Sequence, residues 1–536
     1  DAQGQLPDGA AKRMRDSVKL SFPINPARPR LREYVCTTMK PGEAMGTRRF
    51  VTLNFNAGTP LNLSFSTHPL APISGTFDFL FRYPHGCSEQ LSSALLPWLL
   101  ADELKDLPGF SLPKGKTPAR VIGESLSQLR ERASYGYGKP SGFAYWDRGG
   151  ISAEFTPYVQ LVLQIAEKHG YGEHWYATSI RNSMKQQLRD RGKANLISVL
   201  PLALSGSFSS NDLTELLQVH THMREDALWL TACAAAIIKD ERAAELAARA
   251  EAARVSPEVK RDKVLTVEQY RMTVPCDILR LLFRHYSNSE DKELITDACA
   301  VLRKRSGGCL STWESGWSCI LIDALLDHRR HLSDQKPGES AKGEDSAPIT
   351  LNGEAIKPRE LLHRTVPLDL SSQVFTAEGG TIYAFGTAEG YQADAQPDLP
   401  IDHGFLTIRS YEVLQADGSW KATQKLRVGD VVRITVTCRH TGSDRARYVA
   451  IEDRLPSVME VVDPNSPTQS LAPSVARLVQ PSGWYASSSV SKIAIGKDGI
   501  NAYVNSWKGD ACVRYVARVV RSGEVTAPAA RAEMMY

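Results

Sequence analysis

The hydrophobic periodicity of this chain changes twice, and those two changes constrain its fold more than any other feature. Residues 17 to 80 read as β: SVKLSFPI (17–24), RRFVTLNFNA (48–57), LNLSFST (61–67) and GTFDFLFRY (75–83) alternate or cluster β-branched and aromatic residues between Pro and Gly breaks. From about residue 83 apolar side chains recur at helical spacing, in LSSALLPWLLADEL, EFTPYVQLVLQIAEKHG, ALWLTACAAAIIKDERAAELAARAEAA, DILRLLFRHY, ELITDACAVLRK and ESGWSCILIDALLDHRRH. Gly170 directly follows one of these runs and reads as a helix stop. The polar, Pro/Gly/Ser-rich stretch at 331–348 reads as a linker or long loop. Strand patterns then return in APITLNGE, SSQVFTAEG and GTIYAFGTAEG. A last block from about 401 holds GFLTIRSYEVL, VVRITVTCRH, RYVAIEDRL, NAYVNSW and CVRYVARVV. Short strands parted by turn signals point to a β-sandwich. The order β, α, β, β is explained economically by a helical domain inserted between two stretches of one β-domain.

Composition narrows the class. At 536 residues the chain is expected to hold three or four domains, taking roughly 150 residues for each. Apolar residues make up 42% and charged residues 23%, which excludes disordered and fibrous classes. A net charge of +4 leaves no electrostatic footprint for nucleic acid, and no apolar run approaches the ~20 residues that span a bilayer. The polar start, DAQGQLPDGAAKRMRDS, has no apolar signal core and does not begin with Met, so a piece of a longer protein is expected. Nine cysteines show neither a CxxC pair nor a zinc-site spacing with His, so neither a metal nor a cofactor is expected. Several of them (Cys233, Cys299, Cys319) lie in apolar helical runs, where buried thiols are the ordinary outcome.

The segment with chemistry is Tyr83-Pro84-His85-Gly86-Cys87-Ser88-Glu89-Gln90, where β gives way to helix. Cys87 and Gln90 are one helical turn apart, so their side chains can meet on one face. A thiol held against a carboxamide can attack it, expel ammonia and leave an internal thioester, with intramolecular placement supplying the effective concentration. Gly86 would let the backbone turn tightly, and a helix N-terminus would favour the thiolate. A thioester must be kept from water, a task suited to apolar neighbours such as Tyr83 and Trp98. The bland alternative is a cysteine near a helix start, with Glu89 and Gln90 solvated, because four letters recur by chance.

The whole string YPHGCSEQ, set between a β-segment and a long helical run, resembles the thioester signature of the alpha-2-macroglobulin family, especially its bacterial members. GFAYWDRGG (142–150) with the following EFTPYVQLVLQIAEKHGYG is similar to the family's Gly-aromatic-x-x-Trp element and next helix, and STWESGWSCILIDALLDH (311–328) to a late helix. LRVGDVVRITVTC, YVAIEDRLPSVMEVVDP and YVARVVRSGEVTAPAARAEMMY resemble its C-terminal macroglobulin domain. The resemblance implies a multidomain α+β chain. Its all-α thioester domain, an α/α toroid, is inserted in a CUB-like β-sandwich domain and followed by a macroglobulin-like β-sandwich. The implied division is a polar tail (1–16), the first part of the CUB-like domain (17–75), the thioester domain with a linker at its end (76–345), the second CUB-like part (346–400) and the C-terminal domain (401–536).

By the same resemblance Cys87 and Gln90 form the thioester, Tyr83 shields it, and Gly86, Glu89 and His85 support or shield the site; His85 stands where Tyr is common. The implied activity is protease trapping, not enzymatic turnover. A bait region is cleaved, the molecule changes shape, and the thioester acylates a lysine amine of the attacking protease. Complement relatives use a later His to favour hydroxyl transfer, but the matching stretch SVLPLALSGSF (198–208) holds none, which favours amines; His220 and His222 come later. The implied location is the bacterial periplasm, with the full-length protein lipid-anchored to the inner membrane and this part not spanning it.

Three other readings stand beside this one: an α/α-toroid enzyme, a cysteine hydrolase pairing Cys87 with His85 or His222, and a thioester adhesin or opsonin. The first needs acidic clusters, yet no DDxxD or DxDD string is present and Asp147 and Glu154 are isolated. The second lacks a recognisable triad order. Trp146, Trp313 and Trp317 read as core or inter-helix packing. The basic clusters ARPRLRE and RHTGSDRAR read as solvated faces, and the Asn62-Leu63-Ser64 sequon is too common a match to prove glycosylation.

Overall fold

Two stretches of chain far apart in sequence build one pair of sheets. The structure, a computed structural model, describes the chain apart from residues 1, 6–10, 15–29, 68–70, 84, 106–109, 137, 148, 173, 191–193, 255–272, 307–310, 335–348, 357–361, 370, 378–381, 394–403, 424, 443–445, 464–470, 480–482, 484, 508 and 536. Ahead of the helices lie strands β1 (Ala2–Gln5), β2 (Ala11–Met14), β3 (Leu31–Met39), β4 (Ala44–Met45) and β5 (Pro60–Ser66). The hairpin β6 (Ala133–Gly136) and β7 (Lys139–Phe143) falls among the helices. After them come β8 (Ile349–Leu351), β9 (Glu354–Ile356), β10 (Leu362–Thr365), β11 (Gln373–Ala377) and β12 (Ile382–Gly390). One antiparallel sheet runs β10-β5-β12-β3 and the other β4-β11-β8-β9, so each takes strands from both sides of the helical run. Phe65 and Phe375, 4.5 Å apart between ring centres, close the core between them with Met39, Leu63 and Ile382.

Between these halves the helices run α1 (Ser74–Arg82), α2 (Ser88–Leu99), α3 (Ala101–Leu104), α4 (Pro118–Glu131), α5 (Thr156–Lys168), α6 (Ala177–Gln187), α7 (Val199–Leu204), α8 (Ser210–Val219), α9 (Glu225–Ile237), α10 (Ala243–Ala252), α11 (Cys276–Ser287), α12 (Leu294–Ser306) and α13 (Thr312–Asp334). α2 is buried on nearly every side and packs on α4, α5 and α13; a helix apolar around most of its girth belongs inside a bundle. The close approach of α13 needs Gly316. A Cβ there would lie 1.9 Å from Tyr158 Oη and 2.6 Å from Ser93 Oγ. α5 ends at Lys168, and Gly170, with φ +85°, supplies the left-handed residue beyond its cap, as its position after the run predicts.

The C-terminal block is a sandwich. β13 (Phe405–Leu414), β14 (Trp420–Ala422), β15 (Val431–His440), β16 (Ala446–Arg454) and β17 (Met459–Val461) lead to a helix α14 (Pro473–Val479). Then follow β18 (Tyr485–Ala486), β19 (Val490–Gly496), β20 (Gly499–Trp507), β21 (Asp510–Val519) and β22 (Arg531–Met534). One sheet is β14-β13-β15-β21-β17 with β18 on β21, and the facing one is β19-β20-β16-β22. The period-2 pattern of VVRITVTCRH explains the packing. Val432, Ile434, Val436 and Cys438 point inward and are fully buried, each large aliphatic contributing about 1.5–3 kcal/mol.

Helices flanked by antiparallel sheets match the expected α+β class; several local expectations fail. GTFDFLFRY is helix α1, not a strand: Phe77, Leu80 and Phe81 form its buried face while Phe79 is exposed. Its aromatics satisfy both period 2 and period 3.6, and the core decides. RRFVTLNFNA is mostly irregular. It starts in a 3₁₀ turn (Thr47–Arg49), and Phe50, Val51 and Phe55 fill the core without a strand ladder. The start expected as a polar tail contains the β1–β2 hairpin. The linker expected from 331 begins later, because α13 runs to Asp334; residues 335–348, like SVKLSFPI at 17–24, lie outside the described residues.

Candidate functional site

Cys87 starts α2 and Gln90 completes its first turn. With φ −65° and ψ 171°, Cys87 occupies the N-cap. Its Sγ accepts from the Gln90 amide at 3.4 Å, and Gln90 Oε1 accepts from the Cys87 amide at 3.1 Å. This is a capping box with sulfur in place of hydroxyl and carboxamide in place of carboxylate. The local rule that starts the helix therefore also turns thiol and carboxamide toward one another. Cys87, Ser88, Glu89 and Gln90 are all 0% exposed.

Two further layers hold this turn. On one flank the chain after β7 lies alongside: the Ser88 amide donates to Tyr145 O at 3.0 Å and Ser88 Oγ to Ala144 O at 2.6 Å. Buried Arg132 reaches Ser88 Oγ at 3.5 Å and Asp147 Oδ1 at 2.7 Å. On the inner side Glu89 accepts from Ser93 Oγ (2.7 Å) and Thr312 Oγ1 (2.9 Å), tying α2 to α13. Tyr158 Oη lies 2.7 Å from Ser93 Oγ, and burial, then the nearby Glu89 charge, push its hydroxyl well above the ordinary range.

The outer cover comes from the C-terminal sandwich. Gln90 Nε2 donates to Tyr83 Oη at 3.3 Å, and Tyr83 Oη donates to the Met535 carbonyl at 3.1 Å. His85 Nδ1 lies 3.3 Å from Tyr503 Oη and its Nε2 is 3.9 Å from Glu533. Trp146 packs on Tyr503 at 4.3 Å between ring centres, and Tyr448 on Tyr145 at 4.9 Å. Tyr448 Oη donates to Glu154. Lys492 of β19 reaches Asp147 at 2.7 Å, so Asp147 bridges the two bodies through Arg132 and Lys492. Burial, before any charge effect, raises the Tyr83 and Tyr448 hydroxyls far above their ordinary values. Burial works to raise Asp147 as well, but hydrogen bonds from Lys492 and Arg132 hold it below the usual carboxylate range. The nearby His85 ring, with Arg531 paired at 2.6 Å, holds Glu533 below the usual carboxylate range, against an opposing effect of burial.

Sequence comparison places this arrangement among known proteins. Residues 404–536 match the family model described as the bacterial alpha-2-macroglobulin MG10 domain. An alpha-2-macroglobulin of Rickettsia conorii is 23% identical over 431 residues, which cover 76% of this chain. The likeness is thus to the alpha-2-macroglobulin family, by family model in the C-terminal domain and by similarity along most of the chain. The chain spans 21% of the length of that relative. Bacterial alpha-2-macroglobulins share its fold. Native Escherichia coli alpha-2-macroglobulin, solved from domain MG7 to the C-terminus, superposes with a TM-score of 0.69 at 21% identity, covering 95% of this chain and 80% of that one. The E. coli protein in its native conformation by cryo-EM gives 0.68 at 22% identity, covering 95% and 32%. Salmonella alpha-2-macroglobulin reacted with methylamine gives 0.70 at 19% identity, covering 95% and 33%.

Within this alpha-2-macroglobulin fold the residues singled out from sequence separate. Cys87, Gln90 and Tyr83 come together, and His85 packs over them through Tyr83 and Tyr503. Glu89 faces the helical interior. Gly86 shows no steric demand for glycine: its φ is not left-handed, and a Cβ would meet no atom within 4 Å. Trp98 does not shield the site, because eleven residues of α2 carry it about 16 Å along the axis, where it packs on Phe81. Trp146, Trp313 and Trp317 are all buried in the core cluster, as expected, and Trp146 also packs on Tyr503 of the sandwich. His220 is held by the Leu188 carbonyl at 3.0 Å and His222 is exposed. Sequence reasoning missed Tyr448, Lys492, Tyr503, Glu533 and Met535. They lie several hundred residues from Cys87, and no local pattern marks the face of a sandwich that will meet another body. Among the described residues no group of three or more His, Cys, Asp and Glu side chains is placed to hold a metal ion, and no helix is long and apolar enough to cross a membrane.

Proposed function

We propose that this chain is the thioester-bearing C-terminal region of a protease-trapping inhibitor. The observation that carries the reading is the reciprocal cap between Cys87 and Gln90, buried under Tyr83 and the C-terminal sandwich. Attack of the Cys87 thiol on the Gln90 carboxamide expels ammonia and leaves the thioester in a water-poor pocket. Tyr83 shields it, and His85 and Trp146 extend the shield through Tyr503. When the wider molecule changes shape after bait cleavage, a lysine amine of the protease attacks the carbonyl. An amide forms, and Cys87 leaves as a thiol. The Salmonella relative, crystallised after reaction with methylamine, supports amine attack as the expected chemistry here. The proposal extends to a helical thioester domain inserted in a CUB-like β-domain, and to a periplasmic, membrane-anchored parent protein.

Peptide mapping after incubation with Nα-acetyl-lysine tests the reading. The expected product is an amide-linked lysine at Gln90 that Cys87→Ala abolishes. Adduct formation that survives Cys87→Ala would overturn it.

A further inference from the structure

We infer that Glu154 is the group that receives the acceptor amine and takes its proton once the C-terminal sandwich leaves the site. This rests on the thioester reading, and it names a residue for which that reading has no role.

The chemistry demands such a group. A lysine side chain, with an ordinary pKa of about 10.4, arrives as an ammonium and is no nucleophile until a proton is removed. Among the described residues, four carboxylates meet the buried turn or the side chains that cover it. Glu89 is engaged by Ser93 and Thr312 inside the helical unit. Asp147 is held by buried Arg132 as well as Lys492, and so keeps a cation when the sandwich moves. Glu533 belongs to β22 and leaves with the sandwich. Glu154 alone among them stays on the helical unit and loses its partner, because its side-chain contact is the Tyr448 hydroxyl from β16. Among the described residues no cation pairs with it.

Tyr448 occupies this position under strain. Its φ is +51°, a left-handed conformation in the middle of a strand, which side chains other than glycine rarely adopt. The distorted residue packs its ring against Tyr145 and Phe155, at 4.9 and 5.6 Å. Tyr145 is the residue whose carbonyl caps the Ser88 amide, next to Cys87, and the Cys87 thiol is near enough to act on the Tyr448 hydroxyl. Tyr448 therefore contacts both Glu154 and the residue that caps the Cys87 turn. Beyond Glu154 opens a cleft of about 460 Å³ whose lining includes Leu196, Met223 and Leu230 with Asp226, which Arg224 already pairs at 2.8 Å. Asn195, His222 and Arg224 also line the cleft, and its apolar side chains beside a carboxylate without a cation suit an aliphatic stem with a cationic tip.

The step balances. The Glu154 carboxylate takes a proton from the lysine ammonium, and the free amine adds to the Gln90 carbonyl carbon. The carbon–sulfur bond breaks and the Cys87 thiolate departs. Loss of the second amine proton leaves an amide, a Cys87 thiol and, once Glu154 gives up its proton, the carboxylate restored.

The test compares two nucleophiles on the full chain: Nα-acetyl-lysine methylamide, a cation at neutral pH, and hydroxylamine, which is neutral there. Release of the Cys87 thiol is followed in Tyr448→Phe, which frees Glu154 while keeping the ring, and in Tyr448→Phe combined with Glu154→Gln or Glu154→Asp. The lysine-to-hydroxylamine rate ratio is expected to fall about tenfold with Glu154→Gln and to recover in part with Glu154→Asp. An unchanged ratio would overturn the role of Glu154 while leaving the thioester intact. No thiol release with hydroxylamine in any variant would overturn the thioester reading itself.

Discussion

Tyr83 connects the Cys87–Gln90 turn to its cover through one hydroxyl, which accepts from Gln90 Nε2 and donates to the Met535 carbonyl. In the thioester, where Gln90 has lost its nitrogen as ammonia, Tyr83→Phe keeps the ring but removes the bond to Met535, worth about 1 kcal/mol, so methylamine should release the Cys87 thiol about fivefold faster. An unchanged rate in a thiol-release assay would show that the ring alone protects the site. Gly316→Ala tests the packing beneath it. The new methyl group collides with the Tyr158 and Ser93 hydroxyls that support Glu89, and overpacking of this kind costs about 1–3 kcal/mol. A denaturant midpoint equal to that of the unmutated chain would contradict the placement. At this scale the pairing of Cys87 with Gln90 was legible, because helix geometry sets residues three apart on one face. The roles of Tyr448 and Glu154 were not. A strained φ leaves no trace in residue type, and Glu154 reads as an ordinary carboxylate before a helix.

Between elements, the cover of β16, β19, β20 and β22 is held on the helical unit partly by charge. Asp147 and Glu533 both have lowered pKa values in the folded chain. A depressed carboxyl stabilises the contact above the unfolded value near pH 4 and stops doing so as pH falls through its folded value. Acidification below about pH 4 should therefore loosen the cover and expose Trp146, which is 4% exposed and packs on Tyr503. A red shift of tryptophan emission in that range is expected, smaller in Asp147→Asn; identical curves for the two proteins would remove Asp147 from the account. Lys492→Ala at neutral pH should raise methylamine reactivity by only about two- to fivefold, since partly exposed pairs contribute roughly 1 kcal/mol or less. A much larger rise would mean that the cover depends on this one pair. Most helices were legible from spacing. α1 was not, because its closely set phenylalanines fit a strand equally well and only burial of Phe77, Leu80 and Phe81 separates the two.

Across the whole molecule, the order of β, α and β segments foretold that strands on either side of the helices would share sheets, as β3, β5, β10 and β12 do. It did not foretell that the C-terminal sandwich would sit on the Cys87–Gln90 turn. Contact between separate bodies depends on side-chain surfaces that carry no periodic signal, and here Tyr503 and Met535 join the same apolar cluster as Cys87. The molecule thus holds the Cys87–Gln90 pair under a separate body tied on by aromatic contacts, hydrogen bonds and a bridged carboxylate. The most direct test of the central claim is the intact mass of the native chain before and after methylamine. The native mass should be short by one ammonia, and methylamine should then add one molecule and release one titratable thiol, mapped to Cys87. A full mass from the outset, with Cys87 alkylated in the native protein, would contradict it.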